Sequence, residues 1–298
     1  MKKNSNNILS MMKFCEPMAR HTTFRIGGPV DIWAQPQDNQ SLNEIIDLCR
    51  QDGIPFYVVG NGSNLLVKDQ GIKGCVINFN TDSFKTIKTE DVYVTVGAGC
   101  ELARLLNVLS ENGLCGLEFL AGIPATVGGA LAMNAGWTKA QIGDFVEEVT
   151  VMDNKGCLLT LQKKEIIFAY RNCSLDKYII LSAKLKLEKS SKNEVSDRIK
   201  KYITEKRIKQ ELDKPSAGCI FKNPTGDSAG RLIDVSGLKG AAVGGAMVSN
   251  KHANFIINNG NATCKDVLNL IEVVRDKVKK DHGIHLEEEI KIFKPNKE

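Results

Sequence analysis

The sequence predicts an α+β protein built from two or three structural units. Its 298 residues are about twice the roughly 150 expected of a single domain. Along them, runs with the apolar spacing of helices alternate with short runs of period two. Glycine outnumbers proline by 26 to 8, which marks many tight turns or binding loops built from backbone. A composition 42% hydrophobic and 25% charged suits a soluble globular chain and excludes disorder as the main state.

The first helix is expected from Ser41, with Glu44 in capping-box spacing and Leu42, Ile45, Ile46 and Cys49 on one face before Gly53. A strand at Phe56 to Val59 then runs into Gly60-Asn61-Gly62-Ser63-Asn64, and Leu65 to Val67 resumes an extended pattern. Val92, Val94 and Val96 share one face of a strand over Asp91 to Gly97, and Gly99 precedes a helix carrying Leu102, Leu105, Leu106 and Leu109. A glycine-rich segment, Phe119 to Trp137, interrupts this unit. Val146 to Met152, Cys157 to Thr160 and Tyr178 to Leu187 follow as strands. The charged run Glu194 to Gln210 reads as a connector helix that Leu212-Asp213-Lys214-Pro215 terminates. In the last unit Thr263 and Asp266 cap a helix carrying Val267, Leu270, Ile271, Val274 and Val278 up to Gly283, and Leu286 to Phe293 is the final strand.

Charge and cysteine usage narrow the class. The net charge of +5 fits a small anionic ligand better than a long polyanion, so nucleic acid is not an expected partner. Nine cysteines are an odd number without a CxxC pair, which suggests neither a disulfide ladder nor a zinc knuckle. His21, His252, His282 and His285 form no compact metal motif. The N-terminus shows no secretory pattern, and the uncharged stretch Phe119 to Thr138 contains four glycines and a proline, so stable membrane insertion is not expected. A reducing cytoplasm is the expected location.

Five motifs carry chemistry, each with a plainer reading beside it. Gly60-Asn61-Gly62-Ser63-Asn64 is equally a tight solvent turn or a phosphate loop, and it matches neither GxGxxG nor a P-loop. Gly122 to Ala130 is either a close-packed bend or a segment whose backbone amides hold a pyrophosphate. Tyr170-Arg171 is a surface pair or an anion clamp, since a guanidinium grips a carboxylate with two directed donors. Cys219 is a small packed thiol or an acid of nominal pKa about 8.5. In the triplet Glu287, Glu288 and Glu289, a strand would set the first and third on one face and Glu288 on the other, so the three need not act together.

Together these motifs resemble the UDP-N-acetylenolpyruvoylglucosamine reductase (MurB) family over nearly the whole chain. His21-Thr22-Thr23-Phe24-Arg25-Ile26-Gly27-Gly28, the loop from Gly60 to Leu65 and Gly122 to Ala130 look like its flavin motifs. Tyr170-Arg171, Ser216 to Pro224 and His252-Ala253-Asn254-Phe255-Ile256 extend the likeness. The resemblance is to the shorter, type II branch, because Tyr170-Arg171 passes quickly through Cys173 to the strand at Tyr178. It implies a vanillyl-alcohol-oxidase-like fold with a two-part FAD-binding region, residues 1–82 and 83–199, and a C-terminal α+β substrate-binding domain, residues 200–298.

The activity so implied is reduction of the enolpyruvyl group of UDP-N-acetylglucosamine enolpyruvate to UDP-N-acetylmuramate, with FAD as cofactor and NADPH as electron donor, by a monomer in peptidoglycan precursor synthesis. Residues implied at the cofactor are Tyr57, Gly60, Asn61, Gly62, Ser63, Asn64 and Leu65 from the first loop. The second segment adds Gly122, Ile123, Pro124, Ala125, Thr126, Gly128, Gly129, Asn134, Ala135 and Gly136. Tyr170, Arg171, Lys222 and Asn223 are implied at the substrate. Arg171, Cys219 and Glu289 are implied as catalytic, with Cys219 standing where the family has a serine as proton donor. A related FAD-dependent oxidase and a catalytically impaired FAD and UDP-sugar binder are the alternatives.

Overall fold

The middle of the chain forms a five-stranded antiparallel sheet whose interior strands, such as Ile179–Lys186, are mostly buried and whose edge strand Leu158–Gln162 is mostly exposed. The computed structural model, which describes residues 8–137 and 140–293, orders its strands Leu158–Gln162, Val146–Met152, Ile179–Lys186, Tyr93–Gly97 and Ile87–Glu90. Every neighbouring pair is antiparallel. The helix Leu102–Glu111 buries Leu102, Leu105, Leu106 and Leu109, the face expected of it. The helix Asn39–Gln51 buries Leu42, Ile45, Ile46 and Cys49, and Phe56–Val58 pairs in parallel with residues 75–77. These elements share one apolar core. They belong to a compact unit formed by Ile32–Asn61 and Gly74–Glu205 with the described residues up to Lys13.

The second unit comprises Phe14–Asp31, Gly62–Lys73 and the described residues from Lys206 onward. Its four-stranded antiparallel sheet runs in the order Ser216–Cys219, Phe255–Asn258, Ala246–Val248, Ala242–Val243. The helix Cys264–His282 buries Val267, Leu270, Ile271, Val274 and Val278, and the helix Ala229–Val235 buries Ala229, Leu232 and Ile233. Thr263 and Asp266 form the expected capping box, and Gly283 closes the helix in the left-handed region at φ 71°. Phe24, Ile26 and Leu66, from the two early segments, lie in the same core as these helices.

Three expectations shift. The first helix begins at Asn39, not Ser41: the Asp38 carboxylate accepts from Ser41 N at 2.8 Å and Ser41 Oγ accepts from Asp38 N at 3.0 Å, so Ser41 is the third residue of the box rather than its cap. Within the uncharged glycine-rich segment a short helix forms at Val127–Ala132, capped by Thr126. The final strand is confined to Lys291–Phe293, paired in parallel with Leu65–Val67. Before it, Glu288 makes only an isolated bridge to Phe221, because that part of the chain follows an irregular segment of the sheet past its last regular pair.

Candidate functional site

In the first unit the two glycine segments meet. A Cβ on Gly60 would lie 2.4 Å from Thr126 Oγ1, so the loop approaches the second segment as closely as a bare backbone permits. Asn78 holds the start of the loop, donating from Nδ2 to the carbonyls of Val59 and Gly60 at 2.8 and 3.1 Å. The backbone amides of residues 60–63 have no acceptor among the described residues. The second segment is differently disposed. Val127 N and Gly128 N donate to the carbonyls of Cys100 and Ala98, and Gly129 N to Thr126 Oγ1, which ties it to the end of a strand and the start of a helix. Ile123 and Ala125 also use their amides internally. Tyr57 lies half-buried on the strand Phe56–Val58 that leads into the loop.

The segment that ends the short helix carries the Tyr170-Arg171 turn. Asn134 is buried, and its side chain donates to Ala169 O at 3.0 Å and Gln141 Oε1 at 2.7 Å while accepting from Gly143 N at 3.1 Å. Cys173 directs its thiol at Ala132 O, 3.7 Å away, and burial pushes that thiol up from its ordinary value. Arg171 donates to Gly136 O at 3.3 Å. Phe168–Ala169 and Asn172–Cys173 pair as a hairpin, so Tyr170 and Arg171 are its two turn residues. Arg171 has φ 56°, a conformation uncommon for any residue but glycine, and its guanidinium lies 5.2 Å from the Tyr170 ring centroid. A cation held in a strained turn over a half-exposed phenol suits an anion clamp.

In the second unit, Gly62 has φ 60°, and a Cβ there would fall 2.2 Å from His21 O. The His21-Thr22 motif therefore fits this loop only with glycine opposite it. Ser63 follows with no acceptor for its amide among the described residues, and Asn64 donates from Nδ2 to Glu289 O at 3.2 Å. Leu65 opens the strand paired with Lys291–Phe293. Glu289 is held from its other side too, because its N donates to Ile220 O at 2.8 Å. Cys219, next to Ile220, is half-buried at the end of a strand whose register shifts between Ser216 and Cys219, with Gly218 at φ 76° in the irregularity. Thus Cys219 and Glu289, 70 positions apart in the numbering, sit on adjoining segments.

The remaining candidates are less committed to that centre. Lys222 forms a surface ion pair with Glu287 at 3.3 Å, and Asn223 accepts from Ala229 N at 3.0 Å. Glu288 pairs with Arg275, so Glu287 and Glu288 have different partners, although neither lies in the regular strand expected there. Asn78 and Gln141 escaped the sequence reading: each is an unremarkable polar residue whose importance lies in a partner supplied by folding. The only available signal for Asn78 was an amide placed directly after the apolar run Cys75-Val76-Ile77.

Residues 210–293 match the model of the UDP-N-acetylenolpyruvoylglucosamine reductase C-terminal domain, and residues 30–162 match that of an FAD binding domain. The chain is 43% identical over 288 residues to the UDP-N-acetylenolpyruvoylglucosamine reductase of Clostridium tetani, covering 96% of this chain and 93% of that one. It is 45% identical over 279 residues to the reductase of the same name from Moorella thermoacetica, covering 93% and 92%. The crystal structure of UDP-N-acetylenolpyruvylglucosamine reductase (MurB) from Thermus caldophilus matches with a TM-score of 0.81 at 37% identity, covering 95% of this chain and 98% of the other.

Proposed function

The chain belongs to the UDP-N-acetylenolpyruvoylglucosamine reductase family, and we propose that it reduces UDP-N-acetylglucosamine enolpyruvate to UDP-N-acetylmuramate with NADPH as electron donor, a step toward peptidoglycan. The observation that supports the reading is the bond from Glu289 N to Ile220 O, which joins the segments that carry Cys219 and Glu289. FAD fits the residues present. The amides of residues 60–63 have no acceptor among the described residues and glycines keep the backbone bare, so this loop would hold the diphosphate, with Tyr57, Asn64, Leu65, the segment 122–126, Gly128, Gly129 and the segment 134–136 completing the cofactor's surroundings. When bound, FAD supplies a two-electron relay from NADPH to the enolpyruvyl double bond.

The chain's own residues do the rest. Arg171 grips the substrate carboxylate and stabilises the negative charge that develops beside it as the double bond is reduced. Tyr170 orients the same group. Cys219 gives its proton to the carbon next to the carboxylate, and Glu289 assists as the neighbouring acid. Lys222 serves the substrate diphosphate, since an exposed ion pair such as that with Glu287 exchanges readily. Asn223 keeps its amide nitrogen for the sugar nucleotide. In this reading residues 1–82 and 83–199 form the two parts of the FAD region, and 200–298 bind the substrate. A nucleotide sugar and NADPH are cytoplasmic metabolites, which supports that location.

The test is anaerobic stopped-flow absorbance of FAD-loaded protein, reduced with NADPH and then mixed with the enolpyruvyl sugar nucleotide. Rapid flavin reoxidation with formation of UDP-N-acetylmuramate, identified by mass, is the expected result. Flavin that stays reduced would defeat the proposal.

A further inference from the structure

The strand Ser216–Cys219 ends just before Ile220, and its partner strand begins only at Phe255. Past that point the Phe221 peptide still has both of its hydrogen bonds, and one side chain supplies them. Phe221 N donates to Asn254 Oδ1 at 2.9 Å, and Asn254 Nδ2 donates to Phe221 O at 2.8 Å. Asn254 is 2% exposed. Its own carbonyl accepts from Ile220 N at 2.8 Å. A side-chain amide thus takes the place of a strand peptide and fixes the two residues directly after Cys219. Ile220 O is in turn the acceptor for Glu289 N.

A relay of bonds stands behind this clamp. Asn254 N donates to His252 Nδ1 at 3.2 Å. Ser249 Oγ accepts from Lys251 N and His252 N at 3.0 and 3.3 Å, and it contacts Glu211 Oε2 at 3.2 Å. Ser249 is fully buried. Buried networks with every member satisfied hold one geometry.

We infer that Asn254 is a positioning residue for the protonation step: by clamping the Ile220–Phe221 backbone it holds Cys219 and Glu289 in register. The inference rests on the roles proposed above for those two residues. It is tested with Asn254→Asp and Asn254→Ser. An ionised aspartate can accept from Phe221 N but has no proton for Phe221 O, whereas a protonated one restores both bonds. Burial raises the pKa of a carboxyl group, which brings recovery into an accessible pH range. Serine is too short to close both bonds at any pH.

At pH 8 both variants are expected to reoxidise reduced flavin with the sugar substrate about 100-fold more slowly than wild type, the loss that misplacement of about 1 Å produces. Reduction by NADPH and FAD content stay at wild-type levels. As the pH falls to 6, the ratio of Asn254→Asp to wild type climbs while that of Asn254→Ser stays flat. The titratable and charged groups around the clamp are His252 with Lys239 near it, Glu211 through Ser249, Glu288 with Arg275 and Lys222 with Glu287 beside Phe221, and Cys219 and Glu289 themselves. All are common to the three proteins, so the ratio isolates residue 254. Wild-type rates in the variants, equal losses in both half-reactions, or a loss in Asn254→Asp that acid does not relieve would overturn the inference. If Asn254→Asp fails to fold, the split between half-reactions in Asn254→Ser decides alone. Absence of substrate-driven reoxidation in wild type would instead remove the functional reading itself.

Discussion

In the role proposed for it, a thiol at position 219, where the resembling family motif has serine, would respond to pH differently, because an ordinary thiol ionises near pH 8.5 and a hydroxyl does not. Cys219→Ser should keep substrate-driven flavin reoxidation and extend it to higher pH. Cys219→Ala should slow that half-reaction by about 10²–10⁴, the usual worth of a positioned acid, while reduction by NADPH is unaffected. Rapid-mixing rates against pH check both. At Gly60 an added methyl would strike Thr126 Oγ1, which caps the short helix. Gly60→Ala is therefore expected to cost about 1–3 kcal/mol and to loosen FAD, measurable as a lower urea midpoint and free-flavin fluorescence on dilution. His252 gives a pH dependence of stability. Burial lowers its pKa from the ordinary 6.5, so the unfolded chain takes up the proton first. Stability is greatest where the ring is neutral, above 6.5, and declines as pH falls through that value toward the lowered one. Denaturation midpoints between pH 8 and 5 should show the decline in wild type and less of it in His252→Gln. Arg171, Cys219 and the glutamate triplet stood out by residue type, but only the resemblance gave Arg171, Cys219 and Glu289 catalytic roles, since a residue's type does not reveal its neighbours. The partners of Asn78, Asn134 and Asn254 could not be named, because other segments deliver them; Asn134, which the resemblance set at the cofactor, engages Ala169, Gln141 and Gly143 with its side chain.

Helices were legible where an apolar face extends over several turns and a polar cap precedes it. The helix Cys264–His282 satisfies both conditions, and its cap and stop match their expected positions. The helix Val127–Ala132 has the cap, Thr126, but not the face: six residues with two adjacent glycines offer no period to read. The hairpin of Ala242–Val243 with Ala246–Val248 is likewise too short for alternation to show. One support of the long helix also lay beyond local reading. Asp69 accepts from Cys264 N and Lys265 N at 2.9 and 3.2 Å, so a carboxylate nearly two hundred residues earlier adds to the Thr263 cap. Thr263→Ala should cost about 1 kcal/mol, read as a shifted chemical-denaturation midpoint. The double substitution with Asp69→Ala should depart from the sum of the two, since both groups serve one helix end.

Residues 210–293 match a domain model by themselves, yet the unit containing them also includes Phe14–Asp31 and Gly62–Lys73. Phe24, Ile26 and Leu66 fill its core, Thr23 Oγ1 donates to Ser216 O at 2.7 Å, and Lys291–Phe293 pairs with Leu65–Val67. A polypeptide of residues 206–298 alone is therefore expected to lack fixed tertiary structure by near-ultraviolet circular dichroism, whereas the full chain has it. The same interleaving orders events during synthesis. Segments made among the first seventy residues must wait, without their sheet or their long helix, until the last third of the chain has left the ribosome. Closing such long loops is slow compared with local folding, so the early apolar residues Phe24, Ile26 and Leu66 stay exposed to chaperones and proteases for most of translation, and completion of the second unit becomes the late, vulnerable stage of the protein's biogenesis.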